Sequence, residues 1–220
     1  MATGLGQYGF GVKNHRFAQS GRYFMATNPT PGTGLISGAV TSLADTTPYI
    51  LVRNNNSVAS GINIYPDFLR LHVTVVGIGH TSPKLTVKLD TGQTTTRYTS
   101  GGTAITPIST GNGAATLAAT GALIYFGAIT AAAAGAAVLI DTFQLKTAIE
   151  VVNDTWAVDF GSPTHSVKSA LADNSTTISH GYFGTAPICI GPQQHLTIHL
   201  WAASMSTGVT LQPSFGYIEL

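Results

Sequence analysis

The chain has 220 residues, enough for one all-β domain or a domain with an arm, and enough to bury roughly 70% of its unfolded surface. Charged residues make up 9%, against about 25% in a typical soluble protein, while hydrophobic residues reach 44% and glycine counts 25. That balance excludes a disordered chain, and a net charge of +1 leaves no chain-wide footprint for nucleic acid.

So few charges leave two exteriors open: a coat of Thr, Ser and Asn, or a surface covered largely by partners. The second is expected. One cysteine, Cys189, excludes an internal disulfide framework and leaves the redox compartment open. The first residues lack the basic start and continuous apolar stretch of a signal peptide. The Asn-x-Ser/Thr triplets at Asn55, Asn153 and Asn174 are what this composition produces by chance.

Residues 1–45 differ from the rest. Tyr8, Phe10, Phe17, Tyr23 and Phe24 are interleaved with glycines, no acid precedes Asp45, and neither a helical nor a strand period is visible. Pro29, Pro31, Gly32 and Gly34 then punctuate the chain. The expectation is an extended N-terminal arm whose five aromatics anchor on a surface, either that of its own domain or that of a neighbour.

Residues 46–220 carry strand signals. Tyr49–Arg53 is short and apolar. Leu69, Leu71, Val73 and Val75 alternate with Phe68, Arg70, His72 and Thr74, and Leu85, Val87 and Leu89 alternate with Lys84, Thr86, Lys88 and Asp90. A short strand is expected in Ala104–Thr110. Phe143, Leu145, Ile149 and Val151 oppose Gln144, Lys146 and Glu150; Trp156, Val158 and Phe160 oppose Ala157 and Asp159. Residues 161–179 read as a polar loop and Tyr182–Ile190 as a further strand. Leu196, Ile198 and Leu200 alternate with Thr197, His199 and Trp201, and the segment to Leu220 is expected to return beside it as a closing pair. Nine or ten strands with turn-rich gaps predict an all-β, jelly-roll-like antiparallel β-sandwich.

From Tyr98 to Ile140 no charged residue and no histidine occurs. Glycines, threonines and many alanines in Leu117–Ile140 argue against a membrane helix. Buried strands at Leu123–Thr130 and Ala136–Ile140 around an Ala-rich link fit better. The small side chains of that link, Ala133 and Ala134, make it the expected subunit contact.

Chemistry is sparse. Leu89-Asp90-Thr91-Gly92 looks like the Asp-Thr-Gly element of aspartic proteases, but Gln93 replaces the usual Ser or Thr and no second such element exists. A strand ending in a turn explains it. His195 and His199 share one side of a strand about 13 Å apart, too far for one metal ion; they are expected at a surface or interface. Asp154 and Asp159 flank Trp156 and are expected to be solvated. No metal, cofactor or catalytic residue is expected. Trp201 with His199 is the candidate platform for a glycan.

The segments Ile64-Tyr65-Pro66-Asp67-Phe68-Leu69-Arg70-Leu71, Val87-Lys88-Leu89-Asp90-Thr91-Gly92 and Gly191-Pro192-Gln193-Gln194-His195-Leu196-Thr197-Ile198-His199-Leu200-Trp201 resemble virion structural proteins of tailed bacteriophages. The resemblance runs from about Pro29 to the end. Its last segment is similar to a Gly-Pro-Gly-Gln-Ser-Leu turn followed by an apolar strand ending at Trp, with departures at Gln193 and His195. It implies a place in the virion and no reaction, since similar β-sandwich modules serve as head decoration (cement) proteins, head fibres and tail components. The first expectation is a non-enzymatic capsid decoration (cement) protein, assembled in the host cytoplasm and placed on the phage particle. The partners implied are the major capsid protein or other virion proteins and the chain itself, as a homotrimer, with no nucleic acid and no membrane. A tail-fibre or lectin-like glycan-binding module and a self-assembling jelly-roll coat protein are the alternatives.

Overall fold

Period-two alternation along the longer strands sorts their side chains between one shared interior and two outer faces. The computed structural model describes residues 15–92, 97–111, 120–161, 167–169 and 180–220. Its strands are β1 (Tyr23–Thr27), β2 (Leu35–Ile36), β3 (Ile50–Asn54), β4 (Ile64–Val75), β5 (Lys84–Asp90), β6 (Tyr98–Ile105), β7 (Ile108–Ser109), β8 (Ala122–Ala131), β9 (Ala137–Gln144), β10 (Thr155–Phe160), β11 (Val167–Ser169), β12 (His180–Thr185), β13 (His195–Trp201) and β14 (Thr210–Glu219). One sheet runs β11-β12-β10-β4-β14-β1-β7, with β2 also on β14; the other runs β6-β8-β3-β13-β5-β9. All pairings are antiparallel except β10 with β12.

The connectivity is that of a jelly roll. Take β1, β3, β4, β5, β9, β10, β13 and β14 as eight successive strands. The first, eighth, third and sixth then lie side by side in one sheet, and the second, seventh, fourth and fifth in the other. Every connection crosses between sheets except β5 to β9, which are neighbours. Two interleaved Greek keys of this kind define the fold. The remaining strands extend its edges. The longest extension, residues 91–136, interrupts the β5–β9 hairpin; it carries β6 and β8 to the far edge beyond β3 and places β7 beside β1 in the other sheet.

The interior is filled from both sheets. Phe24, Leu69, Leu71, Trp156, Val158, Leu211, Phe215 and Tyr217 face Ile50, Val52, Leu85, Val87, Phe126, Leu196, Ile198 and Leu200, all at most 2% exposed. Phe215 sits edge-on to Phe160 at 6.3 Å and stacks on Tyr217 at 5.7 Å, which stacks on Phe24 at 5.4 Å. The β14 backbone needs Gly208 at its approach, because a Cβ there would collide with the Ser37 carbonyl oxygen.

Three expectations are corrected. The arm does not extend to residue 45: Tyr23 and Phe24 belong to β1, which is hydrogen-bonded to β14 from Tyr23↔Ile218 to Thr27↔Ser214. β1 is apolar on both faces, so it shows no alternation. The segments ending at Trp201 and Leu220 are not a pair; β13 and β14 lie in opposite sheets, as the seventh and eighth strands of a jelly roll must. Residues 145–154 are a loop instead of a strand, because Lys146, Glu150 and Asp154 turn inward into buried ion pairs. The windows Leu123–Thr130 and Ala136–Ile140 do form strands, β8 and β9, but β9 is an edge with Val138 50% and Leu139 57% exposed.

These pairings predict the outcome of truncation. Deleting residues 1–28 removes β1, uncovers one side of β14 and empties the sites of Phe24 and Ala26. Loss of the cooperative thermal transition is expected by circular dichroism; a melt within a few degrees of the intact chain would show that β1 is dispensable.

Candidate functional site

The densest concentration of polar chemistry lies on the outer face of the β13 sheet. β13 presents Leu196, Ile198 and Leu200 to the interior, so His195, Thr197, His199 and Trp201 point outward. Register sets their neighbours. His195 lies between Arg53 of β3 and Asp90 of β5, Thr197 between Leu51 and Lys88, and His199 beside Thr86. This face is not in solvent: His195 and Thr197 are 0% exposed and His199 1%. A lid formed by Asp45 and Arg97 covers it. The Arg97 guanidinium reaches Asp90 at 3.6 Å (Nε to Oδ2) and donates from Nη2 to the carbonyls of Asp45 at 2.8 Å and Ala132 at 3.1 Å. Lys88 pairs with the Asp45 carboxylate, which holds that carboxyl below its usual range. Beside the lid, Tyr98 stacks on Tyr125 at 3.9 Å over Leu51, Ile129 and Ala131.

Burial dominates the electrostatics here. Removal from water lowers the His195 and His199 pKa values to about 4, and the nearby cations add to the effect: Arg53 and Arg97 at His195, Lys88 and Arg97 at His199. Both rings are therefore neutral at pH 7. The expected surface or interface position of the two histidines is corrected: the chain's own lid buries them. Asp90 is likewise a buried ion-pair partner, 4% exposed, although its Oδ1 also accepts the Gly92 amide in the turn the sequence signalled.

The glycan platform expected at Trp201 and His199 is not formed. His199 lies under the lid. Trp201 is half-buried, donates from Nε1 to Thr86 Oγ1 at 2.9 Å, and has the Lys84 ammonium 4.5 Å from its ring centroid. Of the arm anchors, Tyr8 and Phe10 lie outside the described residues, and Phe17 sits half-buried on a helical turn spanning residues 15–19. Phe24 is in the core, and the Tyr23 hydroxyl donates to Asp67 Oδ2 at 2.7 Å. Ala133 is exposed and Ala134 half-buried on the β8–β9 loop.

The opposite sheet carries a cleft of ≈ 990 Å³ on its outer side, where Asp67 and Asp159 meet Phe17, Tyr65 and Phe68. Burial, and then the charge of Asp67, raises the Asp159 carboxyl above its usual range. Asp159 is exposed as expected, whereas Asp154 is fully buried, 3.0 Å from Lys146 Nζ, and also accepts the Val151 amide. A second buried pair joins His80 Nδ1 to Glu150 at 2.8 Å; His80 Nε2 faces the Thr207 carbonyl oxygen at 2.7 Å, so the ring donates from both nitrogens when protonated. Its partners outweigh its burial, and its pKa is raised.

Sequence reasoning missed these pairs because each joins distant segments. One signal was present: with nine acids in the chain, a carboxylate inside an apolar stretch is a candidate for pairing, and among the described residues Asp45, Asp90, Glu150 and Asp154 form ion pairs. Among the described residues no group of three or more His, Cys, Asp or Glu is placed to hold a metal ion. Comparison with protein-family models and with curated proteins finds no match.

The Lys146–Asp154 pair gives a stability prediction. Asp154→Ala removes the carboxylate that faces the buried Lys146 ammonium and should cost about 3–5 kcal/mol in urea denaturation. The double change Lys146→Met/Asp154→Leu should recover most of that loss; equal losses in the two proteins would mean that the pair's charges do not govern the effect.

Proposed function

We propose that the chain is a non-enzymatic structural subunit of a tailed-phage particle, a jelly-roll protein that decorates or cements the head as a homotrimer. The jelly roll alone does not decide this, since viral capsid proteins, lectins and cupins share it. The observation that carries the reading is the β9 edge. There the uncharged loop Ala132–Ala136 runs into Val138 and Leu139, both at least half exposed, on a strand whose outer side has no partner among the described residues. An open strand edge with exposed apolar side chains and no lysine or proline guard is an association surface. The non-enzymatic part rests on Asp90, whose carboxylate is engaged by Arg97 beneath a lid and not offered to a substrate.

One observation favours the second reading, a host-glycan module. The cleft of Asp67, Asp159, Tyr65 and Phe68 combines carboxylates for sugar hydroxyls with aromatic rings for sugar faces. Glycan-array binding lost on Asp159→Ala, in a protein that does not associate with heads, would favour it. Capsid-lattice stoichiometry in purified particles would favour the first reading over any tail location.

The contact is testable in the isolated chain. Ala133→Lys or Ala134→Lys places an unpaired charge in the proposed interface at a cost of several kcal/mol, which is a weakening of self-association by roughly a hundredfold or more. Light scattering should show smaller species at micromolar concentration. Unchanged oligomers in both variants would move the contact elsewhere.

A further inference from the structure

The lid over β13 and the proposed contact loop are mechanically one unit. Arg97 bonds the end of β8 twice: its guanidinium takes the Ala132 carbonyl and its own carbonyl accepts the Ala132 amide at 2.7 Å. One residue earlier, the Ala131 amide donates to the Thr46 carbonyl at 2.8 Å, tying the same strand end to the Asp45 segment. The exposed loop Ala132–Ala136 therefore hangs from the residues that cover the two histidines.

What lies beneath is unusual for a buried face. Neither ring nitrogen of His195 has a hydrogen-bond partner among the described residues, at zero exposure. His199 Nε2 lies 3.1 Å from Thr197 Oγ1, and the Ala44 carbonyl faces the ring. The charged groups around the pair are Arg53 from β3, Lys88 and Asp90 from β5, and Asp45 and Arg97 from the lid. Three cations thus stand against two carboxylates before either imidazole takes a proton.

We propose that His195 and His199 form an acid-operated latch: their protonation expels the Arg97 lid and releases the Ala132–Ala136 loop. The histidines cannot yield, because β13 is laddered on both sides from His195 to Ile198 and on the β5 side through to Trp201. Arg97 can, since it precedes β6 and, among the described residues, its main chain meets β8 through one backbone bond, from the Ala132 amide.

The sign follows from the pKa values. Exposed imidazoles titrate near 6.5, and these are held near 4 while covered. The open form therefore binds protons that the closed form refuses, and closure is weakened as pH falls from 6.5 to about 4. Across that window each pH unit favours opening about tenfold per histidine, about a hundredfold for the two together. His80 behaves oppositely. Its raised pKa keeps the Glu150 pair fully formed below pH 6.5 and loses it as pH rises, so acid loosens the lid and spares the β4–β5 turn.

The latch rests on the proposed contact only for its consequence, acid-triggered loss of association. Hydrogen exchange of the Ala132 amide, corrected for intrinsic rate, tests the latch itself between pH 7 and 4.5. Protection should fall by up to a hundredfold per unit below pH 6.5 while β13 amides stay protected. Trp201 emission should change over the same range, since Trp156 is buried in the core. His195→Gln/His199→Gln should flatten the profile, and each single change should leave about half the slope. The latch is overturned if wild-type Ala132 protection is the same at both ends of the range, if β13 loses protection together with it, or if a folded double variant keeps the wild-type profile. Lost protection without a change in light scattering would uphold the latch and count against the loop as a subunit contact.

Discussion

β13 is buried on both faces, and the rest of the molecule is arranged to meet that condition. Its inner side chains, Leu196, Ile198 and Leu200, are satisfied by the sandwich interior. Its outer ones, His195, Thr197 and His199, would face water in an eight-stranded jelly roll but are at most 1% exposed here. A covering layer is needed, and the long insertion in the β5–β9 hairpin supplies it: Arg97 lies on the strand, and β6 and β8 continue the sheet past β3. A connection that could have been a short hairpin thus becomes a second, polar core.

That second core uses up charge. Three ion pairs among the described residues have side chains at most 5% exposed, in a chain with only nine acids. Surface pairs contribute little, whereas a buried pair is costly to break and favours one arrangement over competing ones. Charge is therefore concentrated where it specifies the fold and is thin outside, where Ile36, Val75, Ile78 and Ile108 are each more than half exposed. An exterior of this kind suits packing against other subunits.

How much of this was legible depended on whether an element has one dry face or two. β4, β5, β10 and β13 alternate cleanly, and the all-β sandwich follows from them. β1 carries Phe24 and Ala26 inward and Tyr23 and Met25 outward, so the period is hidden and it read as part of an arm. The same assumption, that the second face is wet, put His195 and His199 at the surface. The tie from Arg97 to Asp90 and Ala132 was beyond reach, because it exists only once the insertion folds across the sheet.

The sheet edges are treated unequally, and this has a physical consequence. At β6 the ladder is interrupted by bulges around Gly101 and Gly102, both at positive φ, and bulges twist an edge away from further pairing. At the opposite end, β9 has a single irregularity opposite Val87 and Lys88 and leaves Val138 and Leu139 outward. An incoming strand would find regular backbone and apolar side chains on the β9 side, and distorted backbone with small polar side chains on the β6 side. Growth of this sheet by addition is therefore favoured in one direction, along the edge that begins where the Arg97-anchored loop ends. The lid over the histidines and the open edge are thus joined through a single covalent stretch, Ala132–Ala136, whose position Arg97 sets.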